Sequence, residues 1–124
     1  MMKKISTDKA PAAIGPYSQA LEAGNLVFLS GQIPIVPETG SLIEGDISVQ
    51  AEQSCKNVGE ILKAAGLDYE SVIKTTCFLS NMADFAAFNE VYARYFTGKP
   101  ARSCVEAALP KGALCEIEAI AVRE

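Results

Sequence analysis

The sequence has 124 residues and contains no histidine. This absence excludes Ser-His-Asp and Cys-His nucleophile pairs, imidazole zinc sites and a histidine proton shuttle. Any chemistry performed by this chain must therefore use carboxylates, arginine, lysine, tyrosine, serine, cysteine or backbone groups.

Positive charge and long apolar runs are also scarce. Lys and Arg number 11 against 15 Asp and Glu, a net charge of −4, whereas proteins that bind nucleic acid usually show a basic excess or stripe. We therefore expect no nucleic acid partner. The longest apolar runs, such as residues 26–29, span about four residues, far fewer than the roughly 20 that cross a bilayer. We expect no membrane association and a cytoplasmic location.

The four cysteines form no C-x-x-C pair, so neither a zinc ribbon nor a thioredoxin-like motif is indicated. We predict that Cys55, Cys77 and Cys115 are small core residues. No metal site and no cofactor are expected.

Composition and periodicity predict one α+β domain over residues 1–124. The sequence is 49% hydrophobic and 21% charged, a balance typical of globular proteins. We expect a two-layer fold with a mainly antiparallel sheet, two helices on one of its faces and the order β-β-α-β-α-β-β; residues 3–6 are a candidate for one more short strand. The predicted strands cover residues 17–23, 26–33, 72–79, 101–109 and 114–122, and residues 34–45 read as a loop.

Apolar spacing places the two helices. The first begins near Asp46 or Ser48 and ends at Gly66, and the second follows an N-cap at Asn81. Each presents one apolar face, formed by Ala51, Cys55, Val58, Leu62 and Ala65 in the first helix and by Phe85, Phe88, Tyr92 and Phe96 in the second.

The last two strands are predicted to form an antiparallel hairpin around residues 110–112. In the final strand Ile117 points to one face, while Glu116 and Glu118 point to the other together with large apolar residues. A face that is both apolar and acidic suggests a subunit interface containing a polar site. The hairpin would also bring Arg102 and Cys104 beside the two glutamates, either as a structural ion pair or as a functional site.

Four other residues are candidates for polar contacts. Gly31, which follows Ser30 inside an apolar strand, indicates either a bulge or close approach of a ligand. Tyr17 is either a hydrogen-bonded edge residue or a site residue. Asn89 lies next to the aromatic face of the second helix, which itself is interpreted as core.

The chain resembles the Rid/YjgF family of reactive-intermediate deaminases along almost its whole length. The resemblance rests on AIGPYSQA at 13–20, SGQIP at 30–34, N-x-x-x-I-L-x-A-A-G at 57–66, VIKTT at 72–76, FNEVY at 88–92, PARSC at 100–104, LPKGA at 109–113 and EIEAIAV at 116–122. It implies a chorismate-mutase-like fold and a homotrimer with active sites between neighbouring subunits. It also implies hydrolysis of enamine and imine intermediates (2-aminoacrylate/2-iminopropanoate and 2-iminobutanoate) to 2-keto acids and ammonia, without cofactor or metal.

By position, the resemblance assigns catalytic roles to two residues. Arg102 would hold the substrate carboxylate with its planar fork, and Glu116 would polarise the attacking water or handle the proton on the departing nitrogen. The resemblance implies a pocket lined by Tyr17, Ser30, Gly31, Ile33, Asn89 and Cys104. One residue fewer than usual lies between PARSC and LPK, and such a change swaps the faces of a strand unless a bulge or turn absorbs it.

Two other functions stay open at this stage. One is a regulatory trimer that binds small carboxylates without turnover, which Arg102 alone would serve. The other is the endoribonuclease or translation-inhibitor activity attached to the family's older names, against which the acidic charge and the absence of histidine count.

Overall fold

The computed structural model describes residues 2–124, and its core is one six-stranded sheet with two helices. The longer helices are α1 (Ile47–Ala64) and α2 (Phe85–Tyr95). The strands are β1 (Met2–Ile5), β2 (Ala20–Ala23), β3 (Leu26–Gln32), β4 (Ile35–Val36), β5 (Ser41–Leu42), β6 (Val72–Leu79), β7 (Ala101–Glu106) and β8 (Cys115–Val122). The predicted order of elements is confirmed, and β4 and β5 add a small hairpin where a loop was expected.

The order of strands in the main sheet is β1-β2-β3-β8-β6-β7. The predicted hairpin between the last two strands is wrong, because β6 lies between them and pairs antiparallel with β8 and parallel with β7. The reason is the connection through α2: a helix that follows β6 returns the chain to the starting end of that strand, so the next strand runs parallel to it. β7 is therefore an edge strand.

Both helices cover the same face of the sheet, as predicted. α1 begins at Asp46, whose side chain accepts a hydrogen bond from the amide of Val49. The predicted apolar face of α1 is buried, whereas in α2 Phe85 is 37% exposed. Asn81 caps a short 3-10 turn, Met82–Asp84, that precedes α2 rather than capping the helix itself.

Strand β8 alternates between the two faces as its sequence predicts. Cys115, Ile117, Ala119 and Ala121 are buried against the helices, while Glu116 and Glu118 lie on the opposite, open face. That open face also exposes Phe28. Cys55 and Cys77 are buried with Cys115, which confirms their assignment as core residues.

Two irregularities shape the part of β3 and β2 nearest to the candidate residues. Between Leu29 and Gln32 the pairing of β3 with β8 shifts by one residue, so that Ser30 and Gly31 form a bulge. The hairpin of β2 and β3 turns at residues 24–25 but β2 starts only at Ala20, three residues later than expected.

None of the helices formed within residues 2–124 is long and apolar enough to cross a membrane.

Candidate active site

The candidate residues form two clusters on opposite faces of the sheet. Arg102 lies in β7 directly opposite Thr75 of β6, on the face that the helices cover. Glu116 lies in β8 opposite Phe78, on the open face. The two side chains that were expected to meet in a hairpin are therefore separated by the sheet itself.

The separation follows from the register. β6 intervenes between β7 and β8, which places the two strands about 10 Å apart. Arg102 is the register partner of Thr75 in β6, and Thr75 is in turn the register partner of Ala119 in β8. Glu116 lies three residues from Ala119 along β8, which adds a separation of about 10 Å. Within one chain the two groups cannot contact the same small substrate.

The arginine cluster is built from β7 and α2. The Arg102 Nη1 group donates a 2.7 Å hydrogen bond to Asn89 Oδ1. Its guanidinium carbon lies 4.9 Å from the ring centre of Tyr92 and 5.5 Å from that of Phe85, distances typical of cation–π contacts. A cavity of about 430 Å³ adjoins Arg102 and Asn89.

Arg102 also has an uncompensated charge. In the part of the chain that the structure describes, the ion pairs are Lys56 with Glu52 and Arg123 with Glu22. Since Arg102 takes part in neither, the remaining donors of its fork are available for an external carboxylate.

The glutamate cluster depends on the bulge in β3. A Cβ atom on Gly31 would lie 2.5 Å from Glu116 Oε2, so the carboxylate occupies space that only a glycine leaves free. Burial, and secondly the charge of Glu118, raises the pKa of Glu116 above its ordinary value of 4.5. A raised pKa makes a carboxyl group a better proton acceptor than an ordinary glutamate when it is ionised.

Glu116 shares a small cleft with Tyr17, Gly31 and Ile33. The cleft has a volume of about 50 Å³, far below the roughly 300–1,000 Å³ of ordinary ligand sites. In one chain this is only part of a binding site.

The wall that carries Tyr17 is an irregular segment held by one buried side chain. The side-chain amide nitrogen of Gln19 donates hydrogen bonds to the carbonyl groups of Thr7, Ala10 and Pro11. The shortest of these, 2.7 Å, is the bond to Pro11. Its amide oxygen accepts a 2.7 Å bond from the Thr7 N–H. Gln19 therefore fixes the segment between β1 and β2 against the glutamate cluster.

The remaining candidates divide between the two clusters. Ser30 lines the open-face cavity next to Tyr17, and its hydroxyl donates a 2.6 Å bond to the Ser18 carbonyl. The carbonyl of Ile33 already accepts bonds from Asn57 Nδ2 and from the Ile35 amide. The Ile33 carbonyl is therefore already satisfied within the chain, while the residue lines the cleft beside Glu116.

Cys104 lies two residues beyond Arg102 on the same face of β7. Its register partner in the neighbouring strand β6 is Cys77. Burial raises the pKa of its thiol, and the nearby Arg102 charge only partly opposes this. Because a raised pKa disfavours the reactive thiolate, the surroundings of Cys104 do not favour a nucleophilic role.

Several residues that organise the site were not singled out from the sequence. Tyr92 and Phe85 were assigned to the core, yet both also face Arg102. Gln19 lies in the quoted motif at 13–20, but only its four hydrogen bonds reveal its role.

The donor set gives no support to a metal centre. Among residues 2–124, no group of three or more Cys, Asp or Glu side chains is arranged to hold a metal ion.

The fold and the two clusters define a class of α+β protein that carries an arginine cluster and a glutamate cluster on opposite faces of one sheet. A family model described as Endoribonuclease L-PSP matches residues 7–123. The chain thus belongs to the Rid/YjgF family, and its fold is chorismate-mutase-like.

Curated relatives and a solved structure match over nearly the whole chain. A mouse protein named 2-iminobutanoate/2-iminopropanoate deaminase is 53% identical, with 98% of this chain and 91% of the relative covered. The chloroplastic Reactive Intermediate Deaminase A of Arabidopsis thaliana is 57% identical. The match covers 94% of this chain but only 64% of that relative's length. The crystal structure of E. coli TdcF with bound serine superposes with a TM-score of 0.93 at 49% identity, covering 98% of this chain and 99% of the other.

Proposed function

We propose that this protein hydrolyses 2-imino acids, in particular 2-iminopropanoate and 2-iminobutanoate, to 2-keto acids and ammonia. One water adds across the C=N bond, the carbon–nitrogen bond then breaks, and the nitrogen leaves as ammonia. The names of the relatives described above support this substrate class. The observation that carries the proposal is the pair of uncompensated groups, the Arg102 guanidinium and the half-buried Glu116 carboxylate.

The mechanism divides the work between these two groups. Arg102 holds the substrate carboxylate with two parallel hydrogen bonds. Glu116 accepts a proton from the attacking water or returns one to the departing nitrogen, for which its raised pKa is suited. Tyr17, Ile33 and the Gly31 backbone form the wall beside Glu116.

Since the two groups lie on opposite faces of one sheet, we propose that each site combines Arg102, Asn89 and Cys104 of one chain with Glu116 and Tyr17 of another. The half-exposed Phe28 and the cavity of about 540 Å³ on the open face support burial of that face in an oligomer. A homotrimer is the proposed assembly. Light scattering coupled to gel filtration should give three times the mass of one chain, and a monomer at micromolar concentration would contradict the shared site.

The reaction is tested by a coupled assay. A dehydratase generates the imine, and the appearance of the keto acid is timed with and without this protein. Acceleration is expected, and an unchanged rate with retained binding of 2-oxobutanoate would instead support a carboxylate-binding protein without turnover.

Complementation tests the sharing of the site. Arg102→Lys and Glu116→Gln chains are co-expressed with different affinity tags, and mixed oligomers are purified on both tags. In a mixed trimer one of the three sites regains both native groups, so about a third of native activity is expected. Mixed oligomers as inactive as either parent would show that both groups act from the same chain.

A further inference from the structure

One polar pair interrupts the aromatic face of α2. Phe88 and Phe96 on this face carry no polar atom, but Tyr92 carries a hydroxyl group, and that group lies 2.6 Å from Thr75 Oγ1. Tyr92 is 8% exposed and Thr75 is fully buried. Because buried hydroxyls destabilise a core unless they are bonded, a phenylalanine and a valine would serve packing alone equally well.

The pair fixes the ring on which the guanidinium rests. Phe96 stacks on the Tyr92 ring at 4.5 Å with an interplanar angle of 22°, and the bond to Thr75 holds the far end of the ring. Thr75 is itself the direct register partner of Arg102. The ring is therefore tied to the strand next to the one that carries the arginine, and Arg102 lies over it at 4.9 Å.

Such a support has a consequence for binding. An arginine side chain loses rotamer entropy when it is immobilised. If it is already immobilised before the ligand arrives, that loss does not reduce affinity. Asn89 accepts a hydrogen bond from one N–H of the Arg102 guanidinium. The Tyr92 ring contacts the guanidinium plane and uses none of its other N–H donors.

We propose that Tyr92 is a positioning residue for Arg102, and that the Tyr92–Thr75 hydroxyl pair sets the orientation in which the guanidinium receives a substrate carboxylate. This deepens the proposed function and rests on it. The role is one of orientation: Tyr92 acts through Arg102 and does not itself handle protons of the reaction.

The first arm of the test measures the geometry without any ligand. The Nε–Hε resonance of Arg102 is assigned by its disappearance in Arg102→Lys. In Tyr92→Leu it should lose the part of its ring-current shift that the Tyr92 ring causes, and move towards the position of exposed arginines as the side chain loses its support. Phe88→Leu is the matched control, because Phe88 is a buried ring on the same helix, 5.8 Å from Tyr92, and it is not one of the two rings beneath Arg102. An Arg102 resonance unchanged in Tyr92→Leu would overturn the proposal.

The second arm measures binding of 2-oxobutanoate and the kinetics of imine hydrolysis. Tyr92→Leu should raise Kd and KM about tenfold with a much smaller effect on kcat, in the range expected for a desolvated cation–π contact. Tyr92→Phe and Thr75→Val should each raise Kd about threefold, and the double variant should add nothing, because both remove the same bond. In the Arg102→Lys background the Tyr92 changes should have no further effect.

Tyr69→Phe is the control for hydroxyl loss, since it removes a bond of 2.8 Å to the Cys55 carbonyl, away from Arg102. If Tyr69→Phe or Phe88→Leu raises Kd as much as the Tyr92 variants, the positioning role is refuted. If Tyr92→Leu does not fold, the Kd values of Tyr92→Phe and Thr75→Val test the positioning role instead. A wild-type protein that neither binds 2-oxobutanoate nor hydrolyses imines would refute the proposed function. The NMR measurement on Arg102 would still show whether Tyr92 positions the guanidinium.

Discussion

The two halves of the candidate site are held in place by different means. Arg102 lies on a strand, is hydrogen-bonded to a helix and rests on the ring of Tyr92, which belongs to the main core. Glu116 also starts from a strand, but its surroundings are a bulge at Gly31 and an irregular segment fixed by Gln19. The half proposed to bind the carboxylate is supported by packing, and the half proposed to act as acid–base group is supported by a missing side chain and a few hydrogen bonds.

This difference predicts how each half should fail. Packing is redundant, so a single change around Arg102 should weaken substrate binding by degrees. Around Glu116 a single atom decides whether the carboxylate can occupy its place. Changes there should affect turnover sharply while the rest of the fold persists.

The largest expected effect separates the two acids of β8. Glu116→Gln should reduce kcat by on the order of 10²-fold or more, because it removes an acid–base group, whereas Glu118→Gln should stay near the native rate. Arg102→Lys keeps the charge but loses the fork, and should weaken both binding and rate. The measurement is the coupled deaminase assay, with light scattering to verify the oligomer.

The contradicting result for these variants is equally definite. An inactive Glu118→Gln beside a nearly native Glu116→Gln would mean that Glu118 is the catalytic acid. If all three variants stay active, none of the three residues is needed for turnover and the catalytic interpretation fails.

Sequence patterns predicted the elements of this fold better than their pairing. Alternation in β8 and the spacing in α1 depend on neighbours in sequence, and both are confirmed. The hairpin of the last two strands was wrong, because nothing local to residues 101–122 shows that β6 lies between them. Since β7 and β8 each pair with β6 and not with each other, the relative register of Arg102 and Glu116 is set by those two pairings rather than by the length of the connection between β7 and β8.

The site was predictable to the same extent. Family motifs brought Arg102, Glu116, Tyr17 and Gly31 to attention, but the division between two faces is a property of the three-dimensional register. Aromatic spacing predicts burial correctly for Tyr92. It does not report which strand the hydroxyl contacts, and so the link to Arg102 could not be found from the sequence.

The next largest effect comes from filling the gap at Gly31. Gly31→Ala should lower kcat by about tenfold to a hundredfold, because the new methyl group would lie 2.5 Å from Glu116 Oε2 and displace the carboxylate. Gly98→Ala is the matched control, since its nearest neighbour would be at an ordinary 3.4 Å. Circular dichroism and thermal melting should show both variants folded. A fully active Gly31→Ala would show that the position of Glu116 in this structure is not the one used in turnover.

Loosening the irregular segment should have a smaller effect. Gln19→Leu removes four hydrogen bonds to Thr7, Ala10 and Pro11, and should lower the free energy of unfolding by about 1–3 kcal/mol. Activity should fall only a few-fold, because Tyr17 is displaced but both ionisable groups remain. Urea unfolding and hydrogen exchange of residues 7–19 are the measurements. Gln53→Leu, which removes one bond to Asn57, serves as control, and equal loss of protection in both variants would contradict the role of Gln19.

The smallest expected effect is a change in the titration of Glu116 itself. Burial is the larger cause of its raised pKa and the negative charge of Glu118 is the second, so Glu118→Gln should lower the pKa of Glu116 without returning it to 4.5. Carbon-13 NMR of the Glu116 carboxyl carbon, followed from pH 3 to pH 8, measures this directly, and the resonance is assigned by its absence in Glu116→Gln. Asp84→Asn is the control, because it also removes one negative charge but Asp84 is not among the causes of the shift. An unchanged pKa in Glu118→Gln would mean that burial alone sets it. A pKa below 4.5 in the native protein would instead indicate that a cation, such as Arg102 of a second copy, already faces the carboxylate in the assembled protein, which would join the two halves of the site before any substrate binds.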